Sequence, residues 1–364
     1  MRITRRVALC GAVFGWALAL CAQADQSASG LGAEIAAKTE VGEAVTAVGA
    51  DSFAQASVAF PGGVKGYPAI PYETLMGYRP MTLDLFLPPA AYDAKGPRPL
   101  LLYVHGGGWV GGGPRRSGAY ADWPKVLASI AERGYVVASI SYRFAKEAPF
   151  PAAIQDVKAG VRFLHAHAAQ YHIDPKRSVI FGQSAGGHLA ALEALTCGVA
   201  ALEPPASPSQ GSDKVETSRQ AESGDAAISD CVQGASAWYG IYDFSSLPKT
   251  QFAGSSPPAL FLGCKDGACD PEMIKLASPI TYVSPHSPPI LVLHGVKDRT
   301  VPVDQAREFN TALKAAGVRT DLILYPDSDH SWINPTPEQT KEVSREALRR
   351  MLDFVDDLIG DKAK

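Results

Sequence analysis

The residues with most chemical potential lie in the stretch from Val179 to His188, where the apolar run Val179-Ile180-Phe181 meets Gly182-Gln183-Ser184-Ala185-Gly186-Gly187-His188. This reads as strand, sharp turn, helix. Glycines on either side of the Gln-Ser-Ala core permit a backbone turn that a Cβ would obstruct, and the turn pushes a serine hydroxyl out at the carboxyl end of the strand. Gly-Ser-Gly turns also occur with no chemistry attached, so the surroundings of Ser184 must decide. Two other loops bear on it. His294-Gly295-Val296-Lys297-Asp298 follows a buried apolar run, and Tyr325-Pro326-Asp327-Ser328-Asp329-His330 follows the last strand-like segment. A serine is a poor nucleophile until a base takes its proton, and a histidine base works best when a carboxylate holds its other nitrogen. Ser184, Asp298 and His330 therefore appear in an order suited to acyl transfer, with Asp327 and Asp329 as competing partners for His330.

A fourth stretch adds what acyl transfer also needs. Leu100-Leu101-Leu102-Tyr103-Val104 runs into His105-Gly106-Gly107-Gly108-Trp109. Three consecutive glycines after a buried strand are costly in conformational entropy, and such a loop is useful where backbone N–H groups must approach a developing oxyanion.

These loops require strands that deliver them to one place. Thr82 to Leu87 alternates like a half-buried strand, whereas Leu100 to Val104, Gly134 to Ile140, Val232 to Tyr239 and Pro289 to His294 are the continuous apolar runs of strands buried on both faces. Helical spacing over Ala152 to Tyr171, Asp304 to Ala316 and Glu338 to Ile359 alternates with them, and a final strand covers Asp321 to Tyr325. Strand and helix in alternation predict an α/β fold with a mostly parallel central sheet and helices on both faces. The catalytic domain is expected over residues 70–364. Two segments interrupt it: an exposed insertion at about 200–230, rich in Pro, Ser, Glu and Asp, and a small lid at about 244–287.

The 364 residues, 46% hydrophobic and 20% charged, suffice for one large core, and a formal net charge of -3 provides no basic field for nucleic acid. No metal cluster or cofactor is expected: His165, His167 and His172 have no cysteine or carboxylate at zinc spacing and read as surface histidines. Met1 to Ala24 carries Arg2, Arg5 and Arg6, an apolar run from Val7 to Leu20, and Ala22-Gln23-Ala24. This is the pattern of a signal peptide cut before Asp25, too short to span a membrane, with Arg5-Arg6 leaving Sec and twin-arginine export both open. Export places the chain in the periplasm or outside the cell. Residues 25–69 lack periodicity and read as a partly disordered leader. Without the signal, Cys197, Cys231, Cys264 and Cys269 remain in an oxidising compartment, where an even number predicts disulfides with three possible pairings. The Asp266-Gly267 turn favours Cys264 with Cys269, which leaves Cys197 with Cys231.

From about Leu83 to Ile359 the chain resembles the α/β-hydrolase-fold esterases with a His-Gly-Gly-Gly motif, which include the hormone-sensitive-lipase relatives. The residues that carry the likeness are His105-Gly106-Gly107-Gly108-Trp109, Ser141-Tyr142-Arg143, Ala148 through Ala153 with Asp156, Gly182 through Ala190, and His294-Gly295 through Val301-Pro302. Ala277-Ser278-Pro279-Ile280-Thr281-Tyr282-Val283 is most similar to the bacterial feruloyl and acetylxylan esterase branch. Carried over by position, the resemblance makes Ser184 the nucleophile, His330 the base and then acid, Asp298 its orienter, and the N–H groups of Gly107, Gly108 and Ala185 the oxyanion donors. His105, His188 and His294 occupy motif positions as structural residues. The implied substrate is a short acyl or feruloyl ester of plant-type polysaccharide fragments, with Trp109, Trp238, Tyr239 and Trp332 as faces for sugar or aromatic rings. A general short-chain carboxylesterase or lipase shares these motifs. A serine peptidase would need a propeller domain for which there are no repeats, and a non-catalytic binding protein usually lacks a triad member. Nothing in the residues indicates an oligomeric state.

Overall fold

The computed structural model describes residues 56–203 and 228–361. The expected signal peptide, the leader up to residue 55 and most of the expected insertion lie outside the described residues. Nine strands form one sheet: β1 (Val58–Ala59), β2 (Lys65–Glu73), β3 (Met81–Leu87), β4 (Arg98–Val104), β5 (Val136–Ile140), β6 (Ile173–Gln183), β7 (Gly234–Trp238), β8 (Ile290–Gly295) and β9 (Thr320–Tyr325). Their order is β1-β2-β3-β5-β4-β6-β7-β8-β9. The first three and the β3–β5 junction are antiparallel, and every pairing from β5 through β9 is parallel. The mostly parallel sheet expected from the sequence is the one observed.

Strand alternation divides the core. On β4 every residue is buried, with Leu100, Leu102 and Val104 facing one cluster and Leu101 and Tyr103 facing the other. The first cluster takes residues of α2 (Ala152–Ala166), α4 (Ala185–Leu195) and α7 (Asp304–Ala315), such as Ile154, Leu189 and Phe309. The second takes Trp123 and Leu127 of α1 (Trp123–Ala131) with Met351 and Phe354 of α8 (Pro337–Ile359). Each face of the sheet thus buries a helix layer, as two-sided apolar strands require.

Several boundaries differ from expectation. The sheet begins at Val58, inside the stretch read as a leader; Gly66, Pro68 and Pro71 break the alternation of β2, which lies near the antiparallel edge where proline is tolerated. The helix expected over Ala152 to Tyr171 ends at Ala166, and a single turn, α3 (Ala168–Tyr171), follows His167 and stops at left-handed His172. The lid stretch holds α5 (Pro257–Leu262) and α6 (Pro271–Ala277) among short 3-10 turns. Cys197 is bonded to Cys231 and Cys264 to Cys269, with Cα separations of 4.9 and 4.3 Å.

Candidate active site

Because β4, β6, β8 and β9 run parallel, the loops after their carboxyl ends meet at one edge of the sheet. The turn after β6 is the tightest. Ser184 has φ 53° and ψ -121°, a conformation rarely taken by a residue with a Cβ, and its N–H donates to the Trp238 carbonyl at 2.9 Å. The turn sits hard against β4: a Cβ on Gly186 would lie 2.0 Å from the Val104 oxygen, and one on Gly182 2.7 Å from the same oxygen. Glycine at these two positions lets Ser184 stand at the head of α4.

His330 Nε2 lies 2.9 Å from Ser184 Oγ, and His330 Nδ1 lies 2.7 Å from Asp298 Oδ2. The other oxygen of Asp298 accepts the N–H groups of Thr300 and Val301, each at 2.8 Å. Burial opposes ionisation of Asp298, but hydrogen bonds from His294, His330 and the Val301 N–H outweigh it and hold the carboxyl well below the ordinary range. The competing acids are engaged elsewhere. Asp327 pairs with Lys297 at 2.7 Å, and Asp329 caps the His330 N–H and binds the Arg299 Nε at 2.6 Å, tying the two loops together.

The glycine loop after β4 supplies donors. Gly107 and Gly108 have φ of 122° and 60°, and their N–H groups donate to no acceptor among the described residues. Ala185 is the first residue of α4, where N–H groups have no intrahelical partner. All three line a cleft of about 750 Å³ together with Ser184 and His330.

The four expected ring platforms fare differently. Trp109 touches the cleft, but it is 2% exposed, stacks on Phe261 at 4.4 Å and donates to His188 Nδ1 at 3.2 Å. His188 Nε2 in turn donates to the Ala277 carbonyl at 2.7 Å, so this pair ties the end of α6 to α4, and burial pushes the His188 imidazole down to about 4. Trp238, Tyr239 and Trp332 belong to the second core cluster and do not line the cleft. They lie near site residues in the chain, yet their rings are buried in the core, where Tyr239 packs edge-on against His330 at 4.7 Å and Trp332 against Tyr239 at 4.6 Å. Tyr239 thus packs behind the histidine, with Trp332 and Trp238 beyond it. His105 and His294 are buried, and His165 is a half-buried link between Ser178 Oγ and the Ser229 carbonyl rather than a surface histidine.

Sequence reasoning missed much of the cleft wall: Arg115, Arg116, Ser117 and Tyr120 from the loop after the glycines, Gln183 behind Ser184, and Gln251 from the lid stretch. Gln183 donates to the Tyr103 hydroxyl at 2.8 Å and accepts from that of Tyr239. The pair Arg115-Arg116 directly after a glycine-rich loop was the available signal. The one grouping of metal-type ligand atoms among the described residues, Cys197, Asp230 and Cys231, is committed to a disulfide.

A family profile described as BD-FAE matches residues 83–313, more than half of the chain. The chain belongs to the BD-FAE family. Esterase LipQ of Mycobacterium tuberculosis is 35% identical over 278 residues, which cover 75% of this chain and 59% of LipQ. The chain spans about half to three-fifths of the length of the first curated relatives it matches. Among solved structures, a truncated carbohydrate esterase from gut microbiota is 26% identical with a TM-score of 0.58, covering 79% of this chain and 96% of that one. The thermophilic esterase Est2 of Thermogutta terrifontis, 24% identical with a TM-score of 0.62 over 84% of this chain and 96% of its own, shares the fold. The architecture is that of the α/β-hydrolases.

Proposed function

We propose that this chain is a serine carboxylesterase in which Ser184 is the nucleophile, His330 the general base and then acid, and Asp298 the orienting carboxylate. The observation that carries the proposal is the unbroken hydrogen-bond chain from Ser184 Oγ through His330 to Asp298, opening on a cleft whose wall presents unpaired N–H groups. His330 Nε2 takes the hydroxyl proton as Oγ attacks the ester carbonyl. The carbonyl π electrons move to oxygen, where the N–H groups of Gly107, Gly108 and Ala185 hold the charge, each such donor lowering the barrier by about 3 kcal/mol. Collapse expels the alcohol, which leaves with the proton from His330, and a water activated by the same histidine then releases the acid and restores Ser184. Asp298, ionised for the reasons given above, keeps the Nδ1–H tautomer and stabilises the imidazolium.

For substrate, we infer short acyl or feruloyl esters on plant-type polysaccharide fragments. The support is the resemblance of the motifs and the likeness to a structure described as a carbohydrate esterase. An exported protein, periplasmic or extracellular, fits two disulfides, and no helix among the described residues is long and apolar enough to cross a membrane. A general short-chain carboxylesterase is the second reading, favoured by the likeness to LipQ. Titration with an organophosphate should label one equivalent of Ser184 in the wild type and none in Ser184→Ala. Absence of labelling refutes the nucleophile. Deacylation of acetylated or feruloylated xylan oligosaccharides against tributyrin then separates the two substrate readings.

A further inference from the structure

The cleft around Ser184 has an unbalanced charge. Among the described residues its lining includes Arg115 and Arg116 but no aspartate or glutamate, in a chain whose formal net charge is -3. Arg115 is neutralised, because its guanidinium makes two hydrogen bonds to Asp84, at 2.6 and 2.9 Å. Arg116 is not. Its backbone carbonyl accepts the Tyr103 hydroxyl at 3.0 Å, but its exposed guanidinium meets no carboxylate and no acceptor among the described residues. The loop that carries it is anchored on both sides, by the Ser139 hydroxyl on the Pro114 carbonyl and by the Tyr120 hydroxyl on the Ser344 carbonyl. An unpaired arginine on a fixed loop in the wall of a concave site is a binding group for a carboxylate or phosphate.

The same charge continues outward. Tyr120 and Ala121 also line a second depression of about 650 Å³, whose charged lining residues are Lys341 and Arg345, again with no acid. Its lining also includes the apolar residues Ile333, Pro335 and Pro337. The two depressions meet at Tyr120, so a substrate longer than one ring can leave the first and rest in the second.

We propose that Arg116 is a specificity-determining residue and that the ester taken by this cleft carries a carboxylate, which Arg116 binds. The inference rests on the esterase reading and names a property of its substrate. The carboxylate belongs either to the acyl group or to an acidic sugar of the alcohol, and the chemistry is the same. One such ion pair in a half-enclosed site raises kcat/KM about fivefold to tenfold, mainly through KM, and the gain shrinks as salt is added.

Two matched comparisons test it. On the acyl side, 4-nitrophenyl hydrogen succinate is compared with 4-nitrophenyl butyrate. On the alcohol side, acetylated xylo-oligosaccharides with a glucuronic acid branch are compared with those lacking it. In the wild type, at least one pair should favour the anionic member severalfold, and that pair shows which side bears the carboxylate. The preference should vanish in Arg116→Gln and reverse in Arg116→Glu, while Arg319→Gln, a surface change at the amino end of β9, keeps it. Hydrolysis of neutral esters with no anionic preference in either pair overturns the inference and leaves the esterase reading standing. A preference that survives in Arg116→Gln overturns it as well. Failure to cleave any ester removes the reading itself, and with it the inference.

Discussion

Replacing Asp298 with asparagine isolates the role of the carboxylate, because the structure dictates how the amide must sit. Asp298 Oδ1 accepts two backbone N–H groups, from Thr300 and Val301. An amide NH2 in that position would face two donors and lose both bonds, at about 1 to 3 kcal/mol each. The asparagine oxygen therefore stays there, and its NH2 takes the place of Oδ2, 2.7 Å from His330 Nδ1 and 3.4 Å from His294 Nε2. An NH2 at that distance donates to Nδ1 and moves the histidine proton to Nε2, which then cannot accept from Ser184. Turnover should fall about 10⁴-fold, equivalent to about 5.5 kcal/mol of barrier. Asp298→Ala removes the orienter without enforcing the wrong tautomer, so it should be less damaging than Asp298→Asn. The assay is kcat on a short-chain 4-nitrophenyl ester for both variants, with thermal melts to confirm folding. Asparagine activity within tenfold of the wild type, or well above that of the alanine variant, refutes the reasoning.

Three further outcomes are expected. Glu193 is fully buried in a group of three acids and two bases (Glu193, Glu203 and Asp230 with Lys158 and Arg162), and Lys158 is already taken by Asp230 at 2.5 Å and the Thr196 carbonyl at 2.7 Å. Burial pushes the Glu193 carboxyl up to about 8 from 4.5. A raised acid is stabilising while protonated, so the melting temperature should fall as pH rises from about 4.5 to about 8, and Glu193→Gln should flatten that slope; an unchanged slope in the variant counts against it. Loop closure gives the Cys197–Cys231 bond, 34 residues apart, about 4 kcal/mol and the Cys264–Cys269 bond, 5 apart, about 2 kcal/mol. Urea unfolding of the two paired serine variants should rank them in that order. Gly186→Ala places a Cβ 2.0 Å from the Val104 oxygen and should cut turnover by 10²-fold or more through displacement of the glycine loop, and a wild-type rate in that variant would mean the turn is slack.

The parallel half of the fold was legible because its inner strands are buried on both faces. Such strands read as apolar runs, as on β4, on β8 and in the Val179-Ile180-Phe181 part of β6, and the loops at their carboxyl ends must converge whatever the helices do. This is why Ser184, Asp298 and His330, singled out by residue type at those strand ends, lie within hydrogen-bond reach of one another. The antiparallel edge was not legible. Pro68 and Pro71 remove the period-two signal from β2, and α1 was passed over where Trp123-Pro124 opens a helix of only nine residues.

The wall of the cleft was less legible, for a reason specific to strand ends. A residue one position past a parallel strand can point into the site or back beneath it, and the turn decides which. Tyr239, directly after β7, has φ 38°, and in the loop after β9 Ser331 and Trp332 have φ of 61° and 64°; no periodicity anticipates such left-handed reversals. Aromatic type therefore drew attention to side chains that pack behind His330 instead of lining the cleft. The groups that reach the cleft, Arg116 and Tyr120, come from an irregular loop held by the hydroxyls of Tyr103, Ser139 and Tyr120, each bonded to a backbone carbonyl. The position of that wall is thus set by long-range hydrogen bonds between side-chain hydroxyls and backbone carbonyls. Charge is the part of that wall a sequence can still disclose: of the arginine pair that follows the glycine-rich stretch, Arg115 pairs with Asp84 and Arg116 has no acidic partner among the described residues.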